Sequence, residues 1–390
     1  MKLIFWVFLF AVFYTYAGYA IILFFLTLFK KKVKSPARPE DDKEWPEVCL
    51  FVTAYNEKNI LAEKISNCLS LDYPKEKLKI VFVTDGSDDG SHEYLMNIPD
   101  INVYHESERK GKINAMNRGM TFITSPIVIF TDANTNLNKE SVKIIANEFF
   151  DPNIGCIAGR KKVLRTKNAS ASETGEGLYW KYESWLKTMD SKFNMPIGAV
   201  GELFAIRTEL FEPVAKDTIL DDFIISFNIL DKGYKLKYVP DAIASENASL
   251  NVSEELKRKI RIAAGGIQTA IRLRKFLNPF RYPKLSFQFF SHKISRWTYT
   301  PWLLFSMLPL NLLIVIFNSD PLYLFTVIFI LQSIIYVVAF LGWIFEKIKI
   351  HLAPFFIPYY FIAINIATIR GQIRYFSGNQ KPAWERAKRL

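Results

Sequence analysis

Cysteine is scarce in this chain: Cys49, Cys68 and Cys156 are its three, widely spaced and each within or beside an apolar run. Such numbers exclude a disulfide framework and fit reduced core residues of a cytosolic domain. Zinc-ligand spacings and nucleic-acid motifs are missing too. The net charge of +12, from 50 Lys+Arg against 38 Asp+Glu, therefore needs another explanation. Much of the basic excess lies beside apolar segments, which suits the cytoplasmic face of a bilayer and its lipids better than nucleic acid. Those apolar segments carry few ionisable residues, which argues against a channel.

Half of the 390 residues are hydrophobic, enough for one sizeable domain plus membrane segments. Residues 3–29 form an almost unbroken apolar run of spanning length, followed at once by Lys30-Lys31-Lys32-Val33-Lys34. A signal peptide is the rival reading, but the run is too long, its basic flank follows it, and no small-residue cleavage pattern appears. Lysines retained inside place the amino terminus outside and the middle domain in the cytoplasm of an inner or plasma membrane protein. The expected division is a transmembrane helix at 1–29, a basic linker at 30–46 and a cytosolic domain at 47–280. An interfacial helix at 281–300, a transmembrane region at 301–370 and a basic tail at 371–390 complete it. Apolar spans fall near 301–317, 321–345 and 351–369. Four crossings would put both termini outside, whereas the basic tail favours the cytoplasm. Pro354 and Pro358 make the last span the candidate for a kinked or re-entrant element.

Between these ends, short β-rich runs alternate with helical ones. Residues 48–55, 78–84, 101–104 and 127–131 read as strands, and 59–70, 89–97, 112–122 and 139–150 as helices. The alternation predicts an α/β fold with a parallel sheet covered on both faces. The run Ile127-Val128-Ile129-Phe130-Thr131 stops in Asp132-Ala133-Asn134. Side chains two apart share a face, so Asp132 and Asn134 project together from a strand's carboxyl end, where open α/β sheets bind ligands. Two hard oxygen donors there suit a divalent cation bridging diphosphate oxygens; a polar loop is the plain alternative.

The first strand ends in Thr53-Ala54-Tyr55-Asn56-Glu57 and the second in Thr84-Asp85-Gly86-Ser87-Asp88-Asp89. Acids and an amide there could bind a base edge and a ribose, or Asn56 and Asp88 could simply cap helices. In Arg109-Lys110-Gly111-Lys112 a basic turn opens a helix, which suits a diphosphate or a solvated charge cluster.

These four motifs, in this order, resemble the inverting family-two glycosyltransferases, and more narrowly their membrane-embedded, polysaccharide-synthesising members such as N-acetylglucosaminyltransferase, cellulose and hyaluronan synthases. The resemblance covers about residues 47–275. It implies a nucleotide-diphospho-sugar transferase domain of GT-A, Rossmann-like type with transmembrane helices at both ends. It also implies nucleotide-sugar contacts from Tyr55, Glu57, Asp85, Asp88, Lys112 and Asp132, and a Mg2+ or Mn2+ ion on Asp132 and Asn134. Asn134 stands where the family's Asp-x-Asp has its second acid, which leaves one charge fewer for the cation.

In the second half, residues 173–192 read as a helix carrying Tyr179, Trp180, Tyr182 and Trp185, as sugar platforms or as packing. The small-residue run at 198–207 resembles the family's strand before the catalytic helix. In Leu220-Asp221-Asp222, Asp222 matches the final Asp of the family's Thr-Glu-Asp-like motif and is the expected general base, with Asp221 as runner-up; helix capping is the alternative for both. A basic helix at 253–276 carries Arg261 and Gln268, which could reach donor phosphate or acceptor, or could rest on anionic lipid. Gly265-Gly266 inside it implies close approach of the backbone to a neighbour. Processive relatives have Gln-x-x-Arg-Trp here; Gln268-Thr269-Ala270-Ile271-Arg272 departs from it, so processivity is less expected than transfer.

The expected function is transfer of a sugar, with inversion, from a nucleotide-sugar donor, a UDP-sugar, to a glycan or lipid-linked acceptor in cell-surface polysaccharide synthesis. Its partners would include a polymer-export protein but no nucleic acid. Alternatives are single-sugar transfer to polyprenyl phosphate, and a catalytically silent nucleotide-sugar sensor or export scaffold.

Overall fold

The computed structural model describes residues 1–30, 35–164, 171–317, 323–350 and 352–379, so the carboxyl-terminal tail beyond 379 lies outside them. Four strands are those read from the sequence: β1 (Val48–Ala54), β2 (Leu78–Asp85), β3 (Asn102–Glu106) and β4 (Ile127–Asp132). They are joined by β5 (Asn136–Leu137), β6 (Ile154–Leu164), β7 (Leu203–Arg207) and β8 (Lys235–Asn247). The eight form one sheet in the order β3-β2-β1-β4-β7-β6-β8-β5.

β1 is apolar at nearly every position because both of its faces are covered. Cys49 and Phe51 point into one buried cluster with Val83 and Phe130, beneath the helices Lys112–Met120 and Asp221–Asp231. Leu50 and Val52 point into the other with Phe82 and Ile129, beneath Lys58–Leu69 and Ser141–Glu148. All three cysteines are buried and free, as their apolar setting predicts.

The sheet is mixed, which corrects the expectation of a parallel one. β1 to β4 pair in parallel, but β7 runs antiparallel to β4, with Thr131 opposite Leu203 and Ile127 opposite Arg207. β6 is antiparallel to β7 and β8 is parallel to β6. The strand–helix alternation holds only as far as β4. After it, strands arrive through connections whose direction local pattern does not encode. The reversal carries a consequence for the site: the start of β7, and Glu202 just before it, lies beside the carboxyl end of β4.

Among the described residues, four helices are long and apolar enough to cross a membrane: Lys2–Thr27, Thr300–Phe317, Leu324–Lys347 and Ala353–Phe376. The last runs unbroken through Pro358, so no re-entrant break occurs there. Pro354 falls in its first turn, where a missing N–H costs nothing. Residues 283–297 lead into the Thr300–Phe317 helix with Ser286, Gln288, Ser291, His292 and Ser295 buried. His292 lies between Asp190 at 2.6 Å and Glu183 at 3.1 Å, and Lys293 and Arg296 pair with Glu183. Tyr19 of the first helix donates to Asp190 as well, so the amino-terminal helix is bonded to the Ala171–Phe193 helix.

Candidate active site

The site begins at the carboxyl end of β4. Lys64, 2% exposed, donates to Thr131 Oγ1 at 3.2 Å and to the Thr135 carbonyl at 2.7 Å. Thr131 and Thr135 hydroxyls meet at 2.8 Å, and Thr135 also donates to the Asp132 carbonyl. The turn that carries Asp132 and Asn134 is thus fixed by buried hydrogen bonds before any ligand arrives.

Parallel pairing sets the ends of β1 and β2 beside it, around a small recess of about 50 Å³. Tyr55, Glu57, Asp85, Arg109, Lys112, Asp132 and Asn134 line it. The Arg109 guanidinium stacks on the Tyr55 ring at 3.9 Å. Asp85 accepts the backbone N–H of Gly111 at 2.6 Å and of Lys110 at 3.1 Å, which holds the basic turn in place. Gly111 has φ +92, a left-handed geometry that a side chain would resist. Asp88 lines neither cavity; it exchanges two hydrogen bonds with Asn56 across the two strand ends. The capping alternative falls to its neighbour, since Asp89 accepts the N–H groups of Lys58 and Ser91.

A larger cavity of about 610 Å³ adjoins this recess, and Gly111, Lys112 and Asp132 line both. Its walls bring in Glu202, Asp221, Asp222, Arg258, Arg261 and the rings of Tyr179, Trp180 and Tyr182. Trp185 lies outside it and is exposed. Lys112 Nζ is 2.8 Å from Asp132 Oδ1 and 3.9 Å from Asp221 Oδ2. Burial opposes its charge, but Asp132 and Asp221 outweigh that and hold the ammonium well above the ordinary lysine range.

Asp222 is a cavity carboxylate shifted toward neutrality. Burial first, then the Asp221 and Glu202 carboxylates, push it up to about 7, while Lys112 pulls the other way. Glu202 behaves oppositely: burial opposes its ionisation, yet Lys161 and Arg258 draw it down to about 2. Behind it, Lys161 also pairs with Glu246, and Arg258 with Glu176 at 2.5 Å and Glu255 at 2.9 Å. This buried network keeps a negative charge beside Asp222.

Gln268 lines neither cavity. Its amide accepts from Ile219 N at 3.0 Å and donates to the Asp217 carbonyl at 2.8 Å, so it straps the loop that delivers Asp221 and Asp222. Arg261 lines the cavity and reaches the Ile219 carbonyl at 3.4 Å. The close approach expected of Gly265 and Gly266 is present: a Cβ on Gly265 would sit 2.8 Å from Ile219 and Leu220, and one on Gly266 2.6 Å from Trp297. Arg258 and Lys259 are buried within the protein, so the Val252–Arg272 helix turns much of its charge inward and not to lipid.

An acid and an amide at one strand end are hard oxygen donors for a divalent cation, and the Lys112 ammonium already paired to Asp132 competes with that cation for the same carboxylate. Such ions are held by one or two carboxylates plus substrate phosphates. Among the described residues no group of three or more acids, histidines or cysteines forms a closed metal cage.

Residues 49–214 match the family described as Glycosyl transferase family 2. This segment is a family 2 glycosyltransferase domain. It is related to the poly-beta-1,6-N-acetyl-D-glucosamine synthases of Staphylococcus aureus strain MSSA476, 27% identical over 237 residues, and of Staphylococcus epidermidis, 24% identical over 250 residues. Those alignments cover 58% and 61% of this chain, and the chain spans little more than half of each relative, 56% and 58%. The mannosyltransferase PcManGT from Pyrobaculum calidifontis, solved in complex with GDP-Man and Mn2+, superimposes with a TM-score of 0.72 at 19% identity, over 97% of this chain and 99% of that one. The family 2 domain has the GT-A α/β fold with a mixed sheet, flanked by apolar helices at the amino terminus and in the carboxyl-terminal region.

Sequence reading missed Glu202, Lys161, Arg258 and Lys187. Lys187 is buried at the cavity wall, donates to the Gly198 carbonyl at 2.7 Å, and is lowered to about 8, by burial first and then by Lys293. Glu202 was visible as an acid after small residues, but only the antiparallel β7 sets it beside Asp132.

Proposed function

We propose that the chain moves a sugar, with inversion, from a nucleotide-diphosphate donor, a UDP-sugar, to a glycan or lipid-linked acceptor in cell-surface polysaccharide synthesis. The observation that carries this is one continuous cavity in which Lys112 and Asp132, suited to a diphosphate, face Asp222, a carboxylate poised near neutrality. Tyr55, Glu57 and Arg109 would hold the base and ribose in the small recess, with Asp85 fixing the turn above it. A Mg2+ or Mn2+ ion on Asp132 and Asn134 would supply Lewis-acid stabilisation of the departing diphosphate. Lys112 adds a fixed positive charge on the same side. Asp222 takes the proton of the acceptor hydroxyl as its oxygen attacks the anomeric carbon from the face opposite the leaving group. Arg261 lines the same cavity, and Gln268 keeps the loop before Asp222 in register. The chain would sit in an inner or plasma membrane with this domain on the cytoplasmic side, which the basic flank after the first span supports.

The test is nucleotide release by purified protein from a panel of UDP-sugars and GDP-mannose, with Mn2+, Mg2+ or chelator. Metal-dependent release from one donor is expected. Asp222→Asn should abolish transfer while nucleotide still binds; turnover like that of the unaltered protein would remove Asp222 from the role of base.

A further inference from the structure

We propose that the acceptor is a lipid-linked sugar and that it reaches Asp222 sideways from the bilayer, a conclusion that rests on the transferase reading above. The cavity that holds Lys112, Asp132 and Asp222 does not stop at the family 2 domain. Its wall includes Tyr16 of the Lys2–Thr27 helix and Ile357, Phe361 and Ile364 of the Ala353–Phe376 helix. A water-soluble acceptor gains nothing from walls on helices long and apolar enough to cross a membrane, whereas an acyl or prenyl chain would be accommodated there. The Tyr16 hydroxyl donates to Asn365 and the Tyr16 carbonyl accepts from Tyr182 at 2.8 Å, so the Tyr16 ring stands in the wall with Phe361 and Ile364, next to the charged groups of Lys293 and Arg296.

Between the two ends the wall changes character. Tyr179 and Trp180 present rings, with Lys259 over the Tyr179 ring at 3.9 Å. The Trp180 Nε1–H is buried with no hydrogen-bond partner among the described residues, an available donor for a sugar hydroxyl. The head group is therefore a sugar and not a bare phosphate. A lipid phosphate arrives ionised and needs no base, but the reacting end presents Asp222 backed by Asp221 and Glu202. In the step itself, the acceptor oxygen bonds to the anomeric carbon as that carbon's bond to the diphosphate oxygen breaks. The hydroxyl proton passes to Asp222, and the bonding pair leaves with the nucleotide diphosphate.

The experiment uses full-length protein in lipid nanodiscs with the donor found above, radiolabelled in its sugar. Three acceptor probes are compared: N-acetylglucosamine on a polyprenyl diphosphate, soluble di-N-acetylglucosamine, and polyprenyl phosphate without sugar. Label in the organic phase with the first probe, about tenfold or more above the others, is expected. Equal use of the soluble sugar, preference for the bare lipid phosphate, or nucleotide release with none of the three labelled would overturn the lipid-linked sugar and leave transferase or donor-hydrolase activity standing. No turnover of any donor would instead defeat the underlying reading and the proposal with it. Ile364→Trp and Thr368→Trp, on the membrane-side wall, should each lower the ratio of lipid product to nucleotide released. An unchanged ratio in a variant with an unaltered melting temperature would count against lateral access.

Discussion

At the scale of single residues, charge placement decides what each carboxylate does. As the proposed base, Asp222 would work only when ionised, and burial with Asp221 and Glu202 raises it to about 7, so transfer should climb as pH rises through neutrality. Removing a neighbouring negative charge lowers a carboxyl pKa. Glu202→Gln should therefore move the acid limb of the pH–rate profile to lower pH, and a limb that stays in place would exclude Glu202 from tuning Asp222. Lys64 has a different task, bracing the Asp132 turn from inside the core. Lys64→Met leaves Thr135 O without its donor and should cost about 1–3 kcal/mol, read as a lower melting temperature. Asp132 and Asp222 could be picked out from their motifs, but Glu202 could not, because nothing local distinguishes a charge-tuning acid from a surface one.

At the scale of elements, the Val252–Arg272 helix is the clamp. Gln268 bonds the 217–219 backbone, Arg272 bonds Thr218 at 2.8 Å and Asp217 at 2.6 Å, and Gly265 admits Ile219 and Leu220 against the helix. Gly265→Ala would press a methyl onto the loop that carries Asp221 and Asp222. Misplacing a catalytic group by about 1 Å costs on the order of 100-fold in rate. Turnover of Gly265→Ala should fall by at least about tenfold with nucleotide binding retained; unchanged turnover would show that the loop tolerates the shift. The sequence announced the helix, its glycine pair and its polar stripe, yet the direction that stripe faces came from packing.

At the scale of the whole molecule, the first of the helices long and apolar enough to cross a membrane shares a buried polar bond with the family 2 domain. Asp190 accepts from Tyr19 of the first helix and from Gln288 at 2.9 Å, and it meets His292 at 2.6 Å. A domain merely tethered to an anchor would not need these. Asp190→Ala leaves His292 and Tyr19 without a shared partner, and breaking such a buried cluster costs about 3–5 kcal/mol. A large drop in melting temperature is expected; a drop within measurement error would mean that the helices and the domain are energetically independent.

The sequence by itself determined the four parallel strands, the helices between them, the four apolar spans and the strand-end motifs, since each is written in neighbouring residues as a period or a break in one. Tyr55, Glu57, Asp85, Lys112, Asp132 and Asn134 were legible for that reason, and parallel pairing necessarily sets their strand ends side by side. Only the tertiary structure decided that β7 runs against β4, that Glu202 and Lys161 therefore stand behind Asp222, and that one cavity extends from Asp132 to Ile364. Those facts depend on pairings between residues far apart in the chain, where strand direction and helix rotation follow from how the whole core packs rather than from any local pattern.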